Sequence, residues 1–297
     1  MKEIVIISGK GGTGKTSLTA SFAALAGNAL LADCDVDAAD LHLVLAPTIR
    51  RREEFRCGNE AVIRPADCVG CGACLARCRF DAVLMPAGAA GEASFTINAT
   101  ACEGCGVCVW ACPVKAIDFP ERLSGEWYVS DTRHGPMVHA RLIPGGENSG
   151  KLVSKVRETA RALAEERKID LILADGPPGV GCAVIASVSG ASLVLIVTEP
   201  TLSGAHDMER VLELTRHFAI PTAVCVNKWD LNAEMTERIE SAARRAGAAI
   251  AGRVRYDKGV TRAQLQGLAV VETDAGPLGA DIRAVWGNLE NQTTIER

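Results

Sequence analysis

Short apolar runs, each followed by a polar or glycine-rich turn and then a helical stretch, recur along most of the chain. They are Ile4–Ser8, Ala29–Ala32, Leu171–Ala174, Leu193–Thr198 and Thr222–Val226. Their hydrophobicity is continuous rather than alternating, which predicts strands buried on both faces, as in a parallel sheet. Between them lie helical stretches such as Lys15–Ala26 and Leu152–Lys168. In the second, Leu152, Val156, Ala160 and Leu163 share a face opposite Arg157, Glu158, Arg161 and Glu165. Strand and helix in alternation predict a doubly wound, mostly parallel α/β sheet. The uncharged stretch Gly176–Thr198 is interrupted by glycines and serines, and reads as a buried helix followed by a buried strand rather than a membrane span.

The rhythm breaks between about Cys57 and Pro120. Here an internal repeat with an offset of 34 matches Ile63 to Ile97, the run Cys68, Cys71, Cys74, Cys78 to Cys102, Cys105, Cys108, Cys112, and Ala82-Val83 to Ala116-Ile117. Two copies of strand, cysteine run, strand predict a small pseudo-symmetric α+β unit. Because α/β signals flank it, residues 57–120 are expected to be an insertion between two parts of one larger domain, 1–56 and 121–297. The loop Ala87–Gly91 joins the two halves of the insertion. Arg50-Arg51-Arg52-Glu53-Glu54 reads as a solvated linker leading into it. Trp127–Gly150 reads as an interface or helix-start segment, with Ser149-Gly150-Lys151 opening a helix.

Composition narrows the classes. The chain has 297 residues, 48% hydrophobic and 23% charged, which excludes disordered, collagen-like and coiled-coil proteins. A formal charge of −4 lacks the broad attraction to phosphate backbones that a basic protein carries, so nucleic acid is disfavoured as a partner. The C-terminal segment Asp281–Asn291 is weakly amphipathic without a basic face, which argues against membrane attachment. Met1-Lys2-Glu3 runs directly into Ile4, with no leader pattern, so the expected location is cytoplasmic. Twelve cysteines, eight of them in the repeated runs, point to metal rather than disulfides. The five histidines show no ligand spacing.

Gly9-Lys10-Gly11-Gly12-Thr13-Gly14-Lys15-Thr16 satisfies G-x-x-x-x-G-K-[ST] between a strand and a helix, with Ser17 next in line. In such a loop the glycines let backbone N–H groups wrap phosphates. Lys15 neutralises the β/γ charge, and the Thr16 hydroxyl can reach Mg²⁺. Asp33-Cys34-Asp35-Val36-Asp37 and Asp40 follow the second strand, and Asp37 or Asp40 could serve only to cap the next helix. Asp175-Gly176-Pro177-Pro178-Gly179 follows the third strand, and Asn227-Lys228 the fifth.

With its extra lysine, Lys10, the loop KGGTGKT resembles the deviant Walker A motif of the MinD/ParA/Mrp/nitrogenase-reductase superfamily. The resemblance covers about 230 residues outside the insertion. It implies that Lys10 reaches across a dimer to the partner's nucleotide, a role comparable with an arginine finger. It implies that Asp35 orients the attacking water, that Asp175 stands in the Walker B position and, with Thr16 and Asp35, holds Mg²⁺, and that Asn227 and Lys228 meet the base. Val254-Arg255-Tyr256-Asp257 departs from a segment that usually reads Ile-Pro-x-Asp. Cys182 stands where nitrogenase-reductase-like proteins place one ligand of a bridging cluster. Residues 113–174 hold no second cysteine, so Cys182 is expected to be buried, and Cys34, Cys57 and Cys225 to pack.

The two cysteine runs are similar to those of bacterial ferredoxins, whose fourth cysteine crosses to the other cluster. That implies one [4Fe-4S] cluster on Cys68, Cys71, Cys74 and Cys112 and another on Cys102, Cys105, Cys108 and Cys78. Zinc fits poorly, because a zinc site takes four ligands in pairs rather than three plus one twice over. Arg79 stands where proline follows the other run.

The combined expectation is an ATPase with ATP, Mg²⁺ and two [4Fe-4S] clusters. Nucleotide would close a homodimer, or a dimer with a close paralogue, and gate electrons to a redox or iron–sulfur protein partner. The alternatives are an Mrp-like iron–sulfur carrier and a MinD/ParA-like spatial regulator with sensory clusters.

Overall fold

The computed structural model describes residues 1–85, 94–143, 146 and 149–294. In chain order the first elements are β1 (Lys2–Ser8), α1 (Lys15–Ala26), β2 (Leu30–Asp33), α2 (Leu41–Leu45), β3 (Thr48–Asn59), β4 (Val62–Ile63), α3 (Ala73–Arg77) and β5 (Val83–Leu84). There follow β6 (Thr96–Ile97), α4 (Val107–Ala111), β7 (Ile117–Asp118), β8 (Glu121–Thr132), β9 (Gly135–Leu142) and α5 (Ser149–Arg167). The last are β10 (Leu171–Pro178), α6 (Cys182–Val188), β11 (Leu193–Thr198), α7 (Leu202–His217), β12 (Thr222–Asn227), α8 (Ala233–Arg245), β13 (Ala249–Val254), α9 (Gly259–Leu265) and α10 (Gly276–Thr294). The chain divides into two compact units. One comprises Met1–Glu53, Glu126–Arg141 and Ser149–Arg297, and the other Glu54–Gly125 and Leu142–Asn148.

The larger unit is built on a sheet of order β13-β12-β11-β1-β10-β2-β9-β8-β3. From β13 to β9 every neighbour is parallel. Ile4, Val5, Ile6 and Ile7 are wholly buried because β1 lies in the middle, between β10 and β11, with helices covering it. Glycines in the left-handed region, Gly14 (φ 93°) and Gly27 (φ 70°), bracket α1. On one side of the sheet Ile4, Ile6, Leu18, Phe22, Leu31, Leu173 and Leu195 form a continuous core with the C-terminal helix. There Trp286 of α10 stacks on Phe22 at 5.4 Å between ring centroids. No helix among the described residues is long and apolar enough to cross a membrane.

Three expectations change. Arg50–Glu54 belongs to strand β3 rather than to a linker. Its side chains are largely exposed, so it carries no hydrophobic signal, and ion pairs to β8, Arg50–Asp131 at 2.8 Å and Arg52–Glu126, mark the pairing instead. Most of Trp127–Gly150 forms strands β8 and β9, a hairpin that extends the parallel sheet, while Ser149 opens α5 as the sequence implies. Arg157, placed by periodicity on the polar face of α5, is 4% exposed. Its Nε donates to Glu3 Oε1 at 2.7 Å, and its Nη1 to the carbonyls of Ala186 and Ser189 at the end of α6. Arg161 Nη2 donates to the other Glu3 oxygen at 2.6 Å.

In the smaller unit, β4 pairs with β7 and β5 with β6, both antiparallel. Each pair takes one strand from each repeat, so the two halves interlock. Gly72 (φ 71°) and Gly106 (φ 73°) start α3 and α4 in equivalent left-handed conformations. Ala61, Ile63, Cys74, Val83, Phe95 and Ile117 form the buried cluster, with Cys68, Cys78, Cys102, Cys108 and Cys112 packed against it. The loop Ala87–Gly91 lies outside the described residues.

Candidate functional site

The C-terminal ends of parallel strands in an open α/β sheet form a crevice where ligands bind. Here those ends carry the glycine-rich loop after β1, Asp33 at the end of β2, Asp175 in β10, Glu199 after β11 and Asn227 at the end of β12. They surround a cavity of about 700 Å³ lined by Gly11, Gly12, Gly14, Lys15, Thr16 and Ser17, with Asp35, Asn227 and Lys228 across from the loop. Gly9, Lys10 and Thr13 do not line it. Gly9 is packed so tightly that an added Cβ would lie 2.2 Å from Cβ of Asp207. Among the described residues the buried Thr13 Oγ1 has no hydrogen-bond partner.

Three carboxylates stand at the cavity, Asp35 in its lining and Asp33 and Asp175 behind it. Thr16 Oγ1 donates to Asp175 Oδ2 at 2.6 Å and Thr19 Oγ1 to Oδ1 at 3.1 Å. Lys15 Nζ lies 3.5 Å from Asp35 Oδ2. Asp33 accepts the backbone N–H groups of Asp35 and Leu41. Burial pushes the Asp175 carboxyl up, against the charge of Lys15 and the two threonine hydroxyls. Burial, and then the Asp175 charge, push Asp33 well up. Asp35 is raised by burial and held back by Lys15. Asp35 and Asp175 share the charge of one lysine, with Asp33 beside them, a donor set short of positive charge that suits a divalent cation bound with a polyphosphate. Asp175, expected among the Mg²⁺ residues, does not line the cavity and is joined to it by the hydrogen bond from Thr16. Asp37 and Asp40 are exposed, and although Asp40 is at the N-cap of α2 its side chain makes no capping bond.

Asn227 is engaged with the loop itself. Its Nδ2 donates to the Thr13 carbonyl at 2.7 Å and its Oδ1 accepts from Lys228 N at 2.9 Å. Arg255, the departure from Ile-Pro-x-Asp, turns to α10, where its Nε and Nη2 donate to Asp281 at 2.6 and 2.9 Å. Tyr256 and Asp257 contribute to the cavity wall. Sequence reasoning missed Thr19, Glu199, Ser203 and Gln264, which donates to Ser17 Oγ at 2.9 Å. For Glu199 a signal existed: it follows the strand next to β1, so topology alone brings it beside the glycine-rich loop.

A family model described as the CobQ/CobB/MinD/ParA nucleotide binding domain matches residues 4–270. The chain belongs to this family. It is a MinD/ParA-type P-loop ATPase in family and fold. The uncharacterized protein MJ0578 of Methanocaldococcus jannaschii is 37% identical over 233 residues, 77% of this chain and 79% of its own length. The septum site-determining protein MinD of Pyrococcus horikoshii, solved with Mg-ADP, shares the fold with a TM-score of 0.58 at 16% identity, covering 100% of this chain and 98% of its own. MinD in the MinC:MinD cell division complex of Aquifex aeolicus has a TM-score of 0.58 at 20% identity, covering 98% and 96%.

In the smaller unit of this MinD/ParA-type protein, one cavity is lined by Cys68, Cys71, Cys74 and Cys112 and another by Cys78, Cys102, Cys105 and Cys108. The backbone N–H of Ala116 donates to Cys112 Sγ at 3.3 Å. Among the described residues no group of three or more His, Cys, Asp or Glu side chains is gathered as ligands for a metal ion. The donor chemistry, four thiols at each cavity, fits a four-iron cluster, which binds a cysteine at each of its irons. Cys34 and Cys225 are fully buried, burial pushing the Cys225 thiol up to about 12, and Cys57 is half-buried. Cys182, expected to be buried, is exposed. It opens α6, whose buried side is formed by Val184, Ser187 and Val188, and it falls off that side.

Proposed function

We propose that this chain binds and hydrolyses ATP, and that its cysteine-rich insertion, residues 57–120, carries two [4Fe-4S] clusters whose electron transfer to a protein partner is governed by ATP-dependent dimerisation. The observation that carries the reading is the sorting of eight cysteines around two cavities, each taking three from one run and the fourth from the other. Such clusters would supply one-electron chemistry. The small buried core of the insertion adds support, since units of this size depend on metals or cross-links for stability.

In the ATPase domain, the backbone of Gly11–Gly14 would cradle the phosphates and Lys15 would neutralise them. Thr16 and Asp35 would meet Mg²⁺, with Asp175 orienting Thr16. Asp35 would also align the attacking water. Lys10 would act on the nucleotide of a second copy. Asn227 and Lys228 would support the base side of the cavity.

The test is anaerobic purification followed by iron and sulfide analysis and electron paramagnetic resonance, with and without MgATP. About eight irons per chain and a nucleotide-dependent potential or electron-delivery rate are expected. Iron-free, folded, ATP-hydrolysing protein would overturn the cluster assignment. Loaded clusters indifferent to nucleotide would favour the second reading, a spatial regulator, which the family match and the likeness to MinD support.

A further inference from the structure

Lys10 is held on its own chain. Its Nζ lies 3.3 Å from Glu199 Oε2 and 3.2 Å from Ser203 Oγ. The other oxygen of Glu199 accepts from Lys228 Nζ, which also donates to the Gly12 carbonyl at 3.2 Å. Ser203 Oγ in turn lies 3.2 Å from Thr201 Oγ1, and that hydroxyl caps α7 by accepting from Gly204 N. One carboxylate thus bridges Lys10 of the glycine-rich loop and Lys228, which reaches that loop from the end of β12. Burial raises the Glu199 carboxyl, but hydrogen bonds and charge from Lys228 and Lys10 outweigh it and hold the group below the usual carboxylate range.

We infer that Glu199, with Ser203, is a positioning residue that keeps Lys10 turned to the start of α7 in its own chain and thereby sets how readily two copies close over ATP. The inference rests on the reading that Lys10 acts across a dimer. An ammonium engaged by Glu199 and Ser203 cannot also reach phosphates in a second copy, so closure must first break this pair. Glu199 keeps Lys228 when Lys10 leaves, so the carboxylate is not stranded. Lys10 is only partly buried, and the pair is correspondingly modest in strength.

The test measures dimer formation by sedimentation velocity with a non-hydrolysable ATP analogue, alongside ATP turnover as a function of protein concentration. Wild type is compared with Glu199→Gln, Ser203→Ala, Lys10→Ala and the Lys10→Ala/Glu199→Gln double variant. Removing the charge in Glu199→Gln is expected to lower the concentration midpoint of dimerisation by about two- to fivefold. Ser203→Ala should shift it in the same direction by less. In the Lys10→Ala background Glu199→Gln should shift nothing, because the residue it restrains is gone. An unchanged or raised midpoint in folded Glu199→Gln overturns the inference, as does an equal shift in the Lys10→Ala background. Should Glu199→Gln fail to fold, an unshifted Ser203→Ala overturns it instead. Wild-type turnover in Lys10→Ala would overturn the cross-dimer reading itself, whereas an inactive Lys10→Ala beside an unshifted Glu199→Gln removes only the restraint.

Discussion

Thr16 and Asp175, 159 residues apart in the chain, are joined by a 2.6 Å hydrogen bond that ties the start of α1 to β10. The bond fixes the Thr16 rotamer at the mouth of the cavity while its carboxylate partner stays behind the wall. Asp175→Asn keeps the shape but can no longer offer a full negative charge to two hydroxyls. Outer partners of metal-binding groups typically contribute 10–100-fold to affinity or activity, so a loss of about that size in the Mg²⁺ dependence of ATP turnover is expected. A Mg²⁺ titration that overlays wild type would show that Asp175 does not act through Thr16.

How much of this was legible in the sequence depends on how local each signal is. The loop Gly9–Thr16 and the strands around Ile4, Leu173 and Leu195 could be read because burial on both faces leaves an unbroken apolar run. Strand β3 could not, because Arg50, Arg51 and Arg52 point to solvent and its identity lies in pairing with β8. Periodicity puts Arg157 on the polar face because it sees one helix, while the group that draws the side chain inward, Glu3, is 154 residues away. Glu199 was overlooked for the same reason: its partner Lys10 is remote in sequence and near only through the adjacency of β11 and β1.

The Glu3–Arg157 pair yields a stability prediction. Both side chains are almost wholly buried, so removing Arg157 leaves the Glu3 carboxylate with only the half-exposed Arg161 as its partner. Arg157→Ala also strips hydrogen bonds from the last carbonyls of α6. A loss of about 3–5 kcal/mol is expected, measured as a drop in the denaturant midpoint at constant m-value. A cost near that of a surface substitution would mean that water replaces the guanidinium.

His139 predicts a pH dependence. It is buried on β9, with Nε2 2.9 Å from Ser130 Oγ, and its ring stacks on Tyr128 at 4.8 Å. Burial, and then the charge of His42, lower its pKa from 6.5 to about 4. The unfolded chain therefore takes up a proton at this site at higher pH than the folded one. Stability from this group is complete above pH 6.5, falls as pH drops towards 4, and changes no further below that. Denaturant midpoints of His139→Gln should lack this part of the acid slope. An identical slope in the variant would assign it to other groups.

The last prediction concerns which cysteines act together. If each cavity takes its fourth ligand from the other run, Cys112 works with Cys68, Cys71 and Cys74, although it lies beside Cys108 in sequence. Single variants cannot separate this from ligation within each run, since either arrangement loses one cluster per serine. Pairs can. Cys74→Ser/Cys112→Ser should retain one cluster, about half the iron, because both changes fall on the same cavity. Cys108→Ser/Cys112→Ser should lose both clusters, because the changes fall on different cavities. Ligation within each run predicts the reverse, and iron analysis with electron paramagnetic resonance on the two double variants decides between them.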